Sequence, residues 1–95
     1  MVVTVQIEHP IRDYASWRTA FDRDPVGRQA AGVRHYRVYR PVDDPNYVLV
    51  DLDFDTTESA ERFVARMRGI WKQVEGTLIE GPRARIVECI EEHSY

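Results

Sequence analysis

Apolar and polar residues alternate strictly over residues 2–9. Val3, Val5, Ile7 and His9 share one side, and Thr4, Gln6 and Glu8 share the other. A period of two is that of a strand with one dry face. Past Pro10 the period changes: Tyr14, Trp17, Ala20 and Phe21 recur at helical spacing, behind Asp13 as N-cap with Ser16 three residues on. Asp24-Pro25 predicts the pause of this helix, because proline disfavours α geometry in the residue before it. A second helical piece is expected from Val26 to Ala31, closed by Gly32 at C′.

Residues 33–40 and 47–54 predict two more strands around the turn signal Pro41-Val42-Asp43-Asp44-Pro45-Asn46, in which Asp44 can brace the backbone. Tyr36 and Val38 share one face of the earlier strand, against His35, Arg37 and Tyr39. On the later one Val48, Val50, Leu52 and Phe54 oppose Tyr47, Leu49, Asp51 and Asp53. Asp55-Thr56-Thr57-Glu58 has the form of a capping box. The helix after it carries Ala60, Phe63, Val64, Met67, Ile70, Trp71 and Val74 as one stripe and is expected to end at Gly76. Residues 83–91 make a last strand, followed by a frayed tail.

The element order β-α-β-β-α-β implies one domain over residues 1–95. The expected architecture is a ferredoxin-like α+β sandwich, a four-stranded antiparallel sheet with both helices on one face. The other sheet face then carries Thr4, Gln6, Glu8, His35, Arg37, Tyr39, Tyr47, Leu49, Asp51 and Asp53. It is too apolar for idle surface and too charged for a monomer core. A homodimer packed through this open face is the expectation, since a small domain gains stability by association. His35 and Arg37 are assigned to that contact.

Composition narrows the field. The 95 residues, 43% hydrophobic and 31% charged, are those of an ordinary globular protein. A net charge of −3 offers no basic field for nucleic acid. No apolar run nears the roughly 18 residues of a membrane span, so no membrane role and a cytoplasmic location are expected. The single cysteine, Cys89, cannot form an internal disulfide, lacks metal-ligand spacing, and reads as strand packing. Asp43, Asp44 and Asn46 are turn chemistry rather than a calcium loop, so no metal is expected. An RNA-reading sheet would not present Asp51 and Asp53 on a central strand. An acylphosphatase-type cradle needs glycine after the first strand, where this chain has His9-Pro10-Ile11-Arg12-Asp13-Tyr14.

Three stretches carry a family resemblance. H-x-x-x-D-Y-x-x-W-R-x-x-F-D spans His9 to Asp22, R-x-x-x-G-V spans Arg28 to Val33, and V-Y-R-x-x-D-D-P-N spans Val38 to Asn46. Together they resemble the small bacterial dimeric α+β barrel proteins of the cyclase-like and antibiotic-biosynthesis-monooxygenase-like (ABM-like) group, over nearly the whole chain. The resemblance implies a homodimer with a pocket between helices and sheet. Cofactor-free monooxygenase, cyclase or isomerase chemistry, or pure ligand binding, would follow from it. The haem-degrading branch uses a histidine on the second helix as iron ligand. Residues 57–75 contain no histidine, so neither haem nor any other cofactor is expected.

The candidate catalytic pair is His9 and Tyr14. His9 has the parity of the dry face at the end of its strand, where a neutral imidazole can take a proton from a phenol or an activated C–H. In a cofactor-free oxygenase that deprotonation makes the substrate electron-rich enough to reduce dioxygen itself. Tyr14 is its expected hydrogen-bonding neighbour at the cavity mouth. Trp17, Phe21, Tyr36, Phe63, Met67 and Trp71 are the candidate walls for a small apolar or aromatic ligand, with Trp71 expected to be half exposed. Taken singly, these residues fit plain core packing better than a cavity wall, and His9 fits a backbone hydrogen bond that fixes the turn better than a base. A non-catalytic binding or structural dimer is therefore the alternative.

Overall fold

A computed structural model of the chain describes residues 2–74, 76 and 80–95. The elements run β1 (Val3–Pro10), α1 (Tyr14–Arg23), β2 (His35–Tyr39), β3 (Tyr47–Phe54), α2 (Thr57–Val74) and β4 (Arg83–Glu88). The strands form one antiparallel sheet in the order β2-β3-β1-β4. Each helix connects two strands that are not neighbours, the split βαβ arrangement of a ferredoxin-like α+β sandwich. The expected fold class is the observed one.

Register follows parity. His9 stands opposite Val48, Ile7 opposite Val50 and Val5 opposite Leu52, while Ile86 and Ala84 of β4 face Val5 and Ile7 from the other side. These inward residues meet Trp17 of α1 and Ala60, Phe63, Val64 and Trp71 of α2 in one buried cluster. A one-residue slip would turn Asp51 and Asp53 into that cluster, so burial of one face fixes the pairing. Val5, Val48, Leu52 and Phe54 are the largest fully enclosed side chains.

Helix α1 begins where Asp13 caps it: backbone φ −156°, ψ 153°, its carboxylate accepting the Ser16 N–H at 2.7 Å and the Ser16 hydroxyl at 2.9 Å. It ends at Asp24, which turns left-handed (φ 51°) ahead of Pro25 and donates its N–H to the Phe21 carbonyl. Proline thus ends the helix by forcing its predecessor out of right-handed geometry.

Four local expectations are corrected. Residues 26–31 do not form a second helical piece. Gly27 adopts φ +73°, and a single turn follows, its Ala31 N–H bonded to the Gly27 carbonyl at 2.9 Å. Gly32 nevertheless sits at C′ as expected. With φ +106° it donates to the Gln29 carbonyl, while the Val33 N–H reaches the Arg28 carbonyl, the paired bonds of a Schellman closure. A Cβ at Gly32 would stand 3.4 Å from that of Ser59 and 3.6 Å from the Phe54 ring, so glycine also lets this loop lie close on α2.

The cap of α2 is shifted by one residue. Thr56, not Asp55, accepts the Ser59 N–H (3.1 Å), and Asp55 is drawn instead to Arg34 at 2.8 Å. β2 covers only residues 35–39 of the expected 33–40: Val33 completes the preceding closure, and the Arg34 N–H reaches the Asp53 carbonyl of β3 at 2.9 Å just ahead of the strand. β4 stops at Glu88, so Cys89 lies beyond the strand and is exposed rather than packed. The expected final residue of α2, Glu75, lies outside the described residues. No helix among the described residues is long and apolar enough to cross a membrane.

Candidate functional site

The sheet's inner face carries short aliphatic side chains at Ile7, Val50 and Leu52, and α1 sends only Trp17 fully down onto it. Short side chains below and one bulky contact above leave space between the layers. A cavity of about 330 Å³ fills it, walled by those residues, His9, Phe21, Phe63, Met67, Ile70 and Trp71. That volume and apolar lining suit a small planar molecule.

His9 is the polar group set into the inner wall, 3% exposed. Its Nδ1 lies 3.1 Å from the Pro10 carbonyl oxygen, which can only accept, so Nδ1 carries the hydrogen and Nε2 keeps its lone pair. No buried side-chain nitrogen or oxygen among the described residues is both sealed and unpartnered. Nε2 has no protein partner among the described residues, and the His9 ring lines the cavity. Burial holds the pKa of the ring below the ordinary 6.5, with the Pro10 bond pulling weakly the other way. At neutral pH the imidazole is uncharged and able to accept a proton.

The aromatic side chains form a continuous train. Trp17 is 6.4 Å from His9, 5.9 Å from Tyr14 and stacked on Phe21 at 4.9 Å; Phe21 meets the edge of Tyr36 at 5.3 Å. Of the candidate residues, His9, Trp17, Phe21, Phe63, Met67 and Trp71 converge on the cavity. Tyr14 and Tyr36 do not line it. Tyr14 lies one turn earlier on α1, on the other side of the Trp17 indole, under the Arg40 guanidinium at 5.2 Å. No hydrogen bond joins it to His9 among the described residues. Tyr36, 41% exposed on an edge strand, is screened from the cavity by Phe21. Trp71, expected to be half exposed, is only 5% exposed: it belongs to the buried core cluster and lines the cavity with Phe63.

The sequence singled out the aromatic walls but not the rim. Arg23, Asp24, Pro25 and Arg28, at and just after the end of α1, also line it, with Gln73 from the end of α2. Arg28 lies 3.9 Å above the Phe21 ring, donates through Nη1 to the Phe21 carbonyl at 2.9 Å and pairs with Asp24 at 3.5 Å. Only its presence in the R-x-x-x-G-V stretch marked it. No group of three metal-ligating side chains is assembled among the described residues.

Solved structures share this architecture. SnoaB, a cofactor-independent oxygenase from Streptomyces nogalater, superposes with a TM-score of 0.76 at 13% identity, covering 96% of this chain and 95% of its own. A candidate antibiotic biosynthesis monooxygenase from Bordetella bronchiseptica gives 0.71 at 14% identity, covering 95% and 98%. The de novo designed protein Foldit4 gives 0.70 at 21%, covering 94% and 99%. The chain therefore has the fold of ABM-like proteins, a fold that a designed sequence also adopts. No family model matches the chain, and no curated protein matches it in sequence.

Proposed function

We propose that this chain is a homodimeric, cofactor-independent enzyme of the monooxygenase or cyclase type, acting on a small aromatic or polyketide-like molecule held between helices and sheet. The observation that carries this reading is the His9 ring, neutral, held by the Pro10 carbonyl and set in the wall of an apolar cavity, its Nε2 unpartnered among the described residues. The likeness to a cofactor-independent oxygenase supports the reaction class.

In this reading Nε2 removes a proton from a C–H activated by a neighbouring ring carbonyl. The resulting carbanion gives one electron to dioxygen, and recombination forms a C–O bond. The hydroperoxide then loses water: the O–O bond breaks and the second C–H proton leaves with hydroxide, so a carbonyl remains. One dioxygen is consumed and one water released per methylene oxidised. Trp17 and Trp71 hold the ring plane, and the apolar walls keep solvent from the carbanion.

The open sheet face supports the dimer. Tyr39, Tyr47, Leu49 and Val87 give it apolar area, and Arg37, Arg83 and Arg85 on the edge strands flank Glu8, Asp51 and Asp53 on the central ones. None of the ion pairs of the described residues lies on this face; Glu8 accepts from the Tyr47 hydroxyl and Asp53 from Thr4, which leaves their charge unbalanced by a cation in direct contact and able to meet a two-fold copy. Sedimentation equilibrium is expected to return twice the chain mass at micromolar concentration; a monomer there would sink the dimer.

Anthrone, a flat tricycle with an acidic methylene, is the probe for the chemistry. Oxygen uptake with stoichiometric anthraquinone, faster than in protein-free buffer and saturable in anthrone, is the expected result. Saturable binding without any acceleration would instead leave a ligand-binding dimer, a reading favoured by the separation of Tyr14 from the cavity, which leaves His9 without a polar helper on the inner wall.

A further inference from the structure

The rim of the cavity is chemically unlike its interior. Arg23, Pro25 and Gln73 are the exposed members of the lining, so the opening lies between the C-terminal ends of α1 and α2. Three charged side chains line it among the described residues: Arg23, Asp24 and Arg28. Two of them neutralise one another. The Asp24 carboxylate lies 3.5 Å from Arg28 Nη1 and also accepts the Arg28 backbone N–H at 2.9 Å.

The Arg23 side chain has no ion pair and no hydrogen bond among the described residues. One carbonyl of the helix end from which it projects is already taken: that of Phe21 accepts from both the Asp24 N–H at 3.2 Å and Arg28 Nη1 at 2.9 Å. Lys72 stands in the last turn of α2 but does not line the cavity. On a chain of net charge −3, the three charged side chains of the described lining, two arginines and one aspartate, leave one net positive charge at the rim.

We infer that the cavity takes an aromatic anion: a planar ring between Trp17, Phe63 and Trp71, with a carboxylate or similar acidic substituent at the mouth on Arg23. This rests on the reading of the cavity as the ligand site and adds the class of ligand to it. The polarity is directional. Reactive carbon is presented inward to His9, and the charged substituent stays at the wet rim, where a carboxylate keeps part of its hydration and still meets a guanidinium fork. Placed the other way round, the anion would be desolvated against aliphatic side chains with no cation to meet it.

Arg28 does not carry the selection, because Asp24 balances its charge. Its guanidinium is stacked on Phe21 and fixed through Nη1, while Nε and Nη2 make no bond among the described residues and are left for a ligand oxygen.

The test compares 2-naphthoate with its neutral isostere 2-naphthamide by equilibrium dialysis against the full chain. At low ionic strength the acid is expected to bind about fivefold tighter, the size of one rim ion pair, and the advantage should shrink as salt is added. In Arg23→Gln the preference should fall to near unity with the naphthamide affinity unchanged, and in Arg23→Glu it should reverse. Arg23 is exposed, so neither change threatens folding. Equal binding of the two probes to the unmodified protein would overturn the inference and leave the cavity reading standing. A preference that survives Arg23→Gln would overturn the role of Arg23. If neither probe binds, the cavity is not a ligand site and both readings fall together.

Discussion

Replacing Phe54 by alanine is expected to destabilise the fold by about 3–5 kcal/mol, the usual cost of deleting a buried phenyl ring. Phe54 is fully enclosed at the end of β3, 5.3 Å from the Phe63 ring and within reach of the Gly32 closure. It does not border the cavity, so its removal opens a new void among side chains that are already locked. The strand, the loop at Gly32 and the start of α2 all converge there, and none can move in without breaking the Schellman pair or the Thr56 cap. Domains of this size hold roughly 5–15 kcal/mol in total, so the variant approaches the unfolding threshold. A thermal melt followed by far-UV circular dichroism should fall by more than about 12 °C. Phe54→Leu, which keeps most of the volume, should lose less than half of that. Equal losses in the two variants would mean that the void is not the cause.

The fold was legible because its two periods are clean. Alternation in β1 and β3 and the stripe of α2 each leave one dry face, and only one layering buries all three. What the sequence hid lies where two chemistries compete for the same residues. Residues 26–31 have helical composition, yet the positive φ at Gly27 breaks the helix before it can propagate. Asp55 and Thr56 are both good caps, and the choice fell to Thr56 because Arg34, distant in sequence, holds Asp55.

At the site, parity placed His9 on the correct wall, and helical spacing placed Trp17, Phe63 and Trp71 above it. Tyr14 is on the expected helix but behind Trp17, a distinction of side-chain direction that spacing along the helix does not carry. The place of the rim arginines at the cavity was hidden for a different reason, although Arg28 stood in the R-x-x-x-G-V stretch. A guanidinium in a turn looks solvated until the folded chain sets an aromatic ring beneath it.

His9→Gln separates the chemistry from the architecture. Glutamine can still donate an amide N–H towards the Pro10 carbonyl and still fills much of the imidazole's volume, but it cannot accept a proton at neutral pH. Anthrone oxidation is therefore expected to fall by about 10²–10⁴-fold, the range for loss of a positioned general base, with naphthoate affinity and dimer mass little changed. In the unmodified protein the rate should also decline on acidification with an inflection below pH 6.5, because burial lowers the pKa of His9 and protonation removes the base. Stability follows the same group. The folded state disfavours the charged ring, so between the folded pKa and 6.5 the unfolded chain binds more protons, and stability rises with pH across that window. The contribution is complete above pH 6.5 and is lost as pH falls through the folded value. Melting temperatures between pH 7.5 and pH 5, compared for the unmodified protein and His9→Gln, should diverge towards the acid side, with the variant losing less. Parallel curves would show that His9 is not buried in its neutral form, and a variant that oxidises anthrone at the original rate would remove the imidazole from the mechanism while leaving the cavity as a binding site.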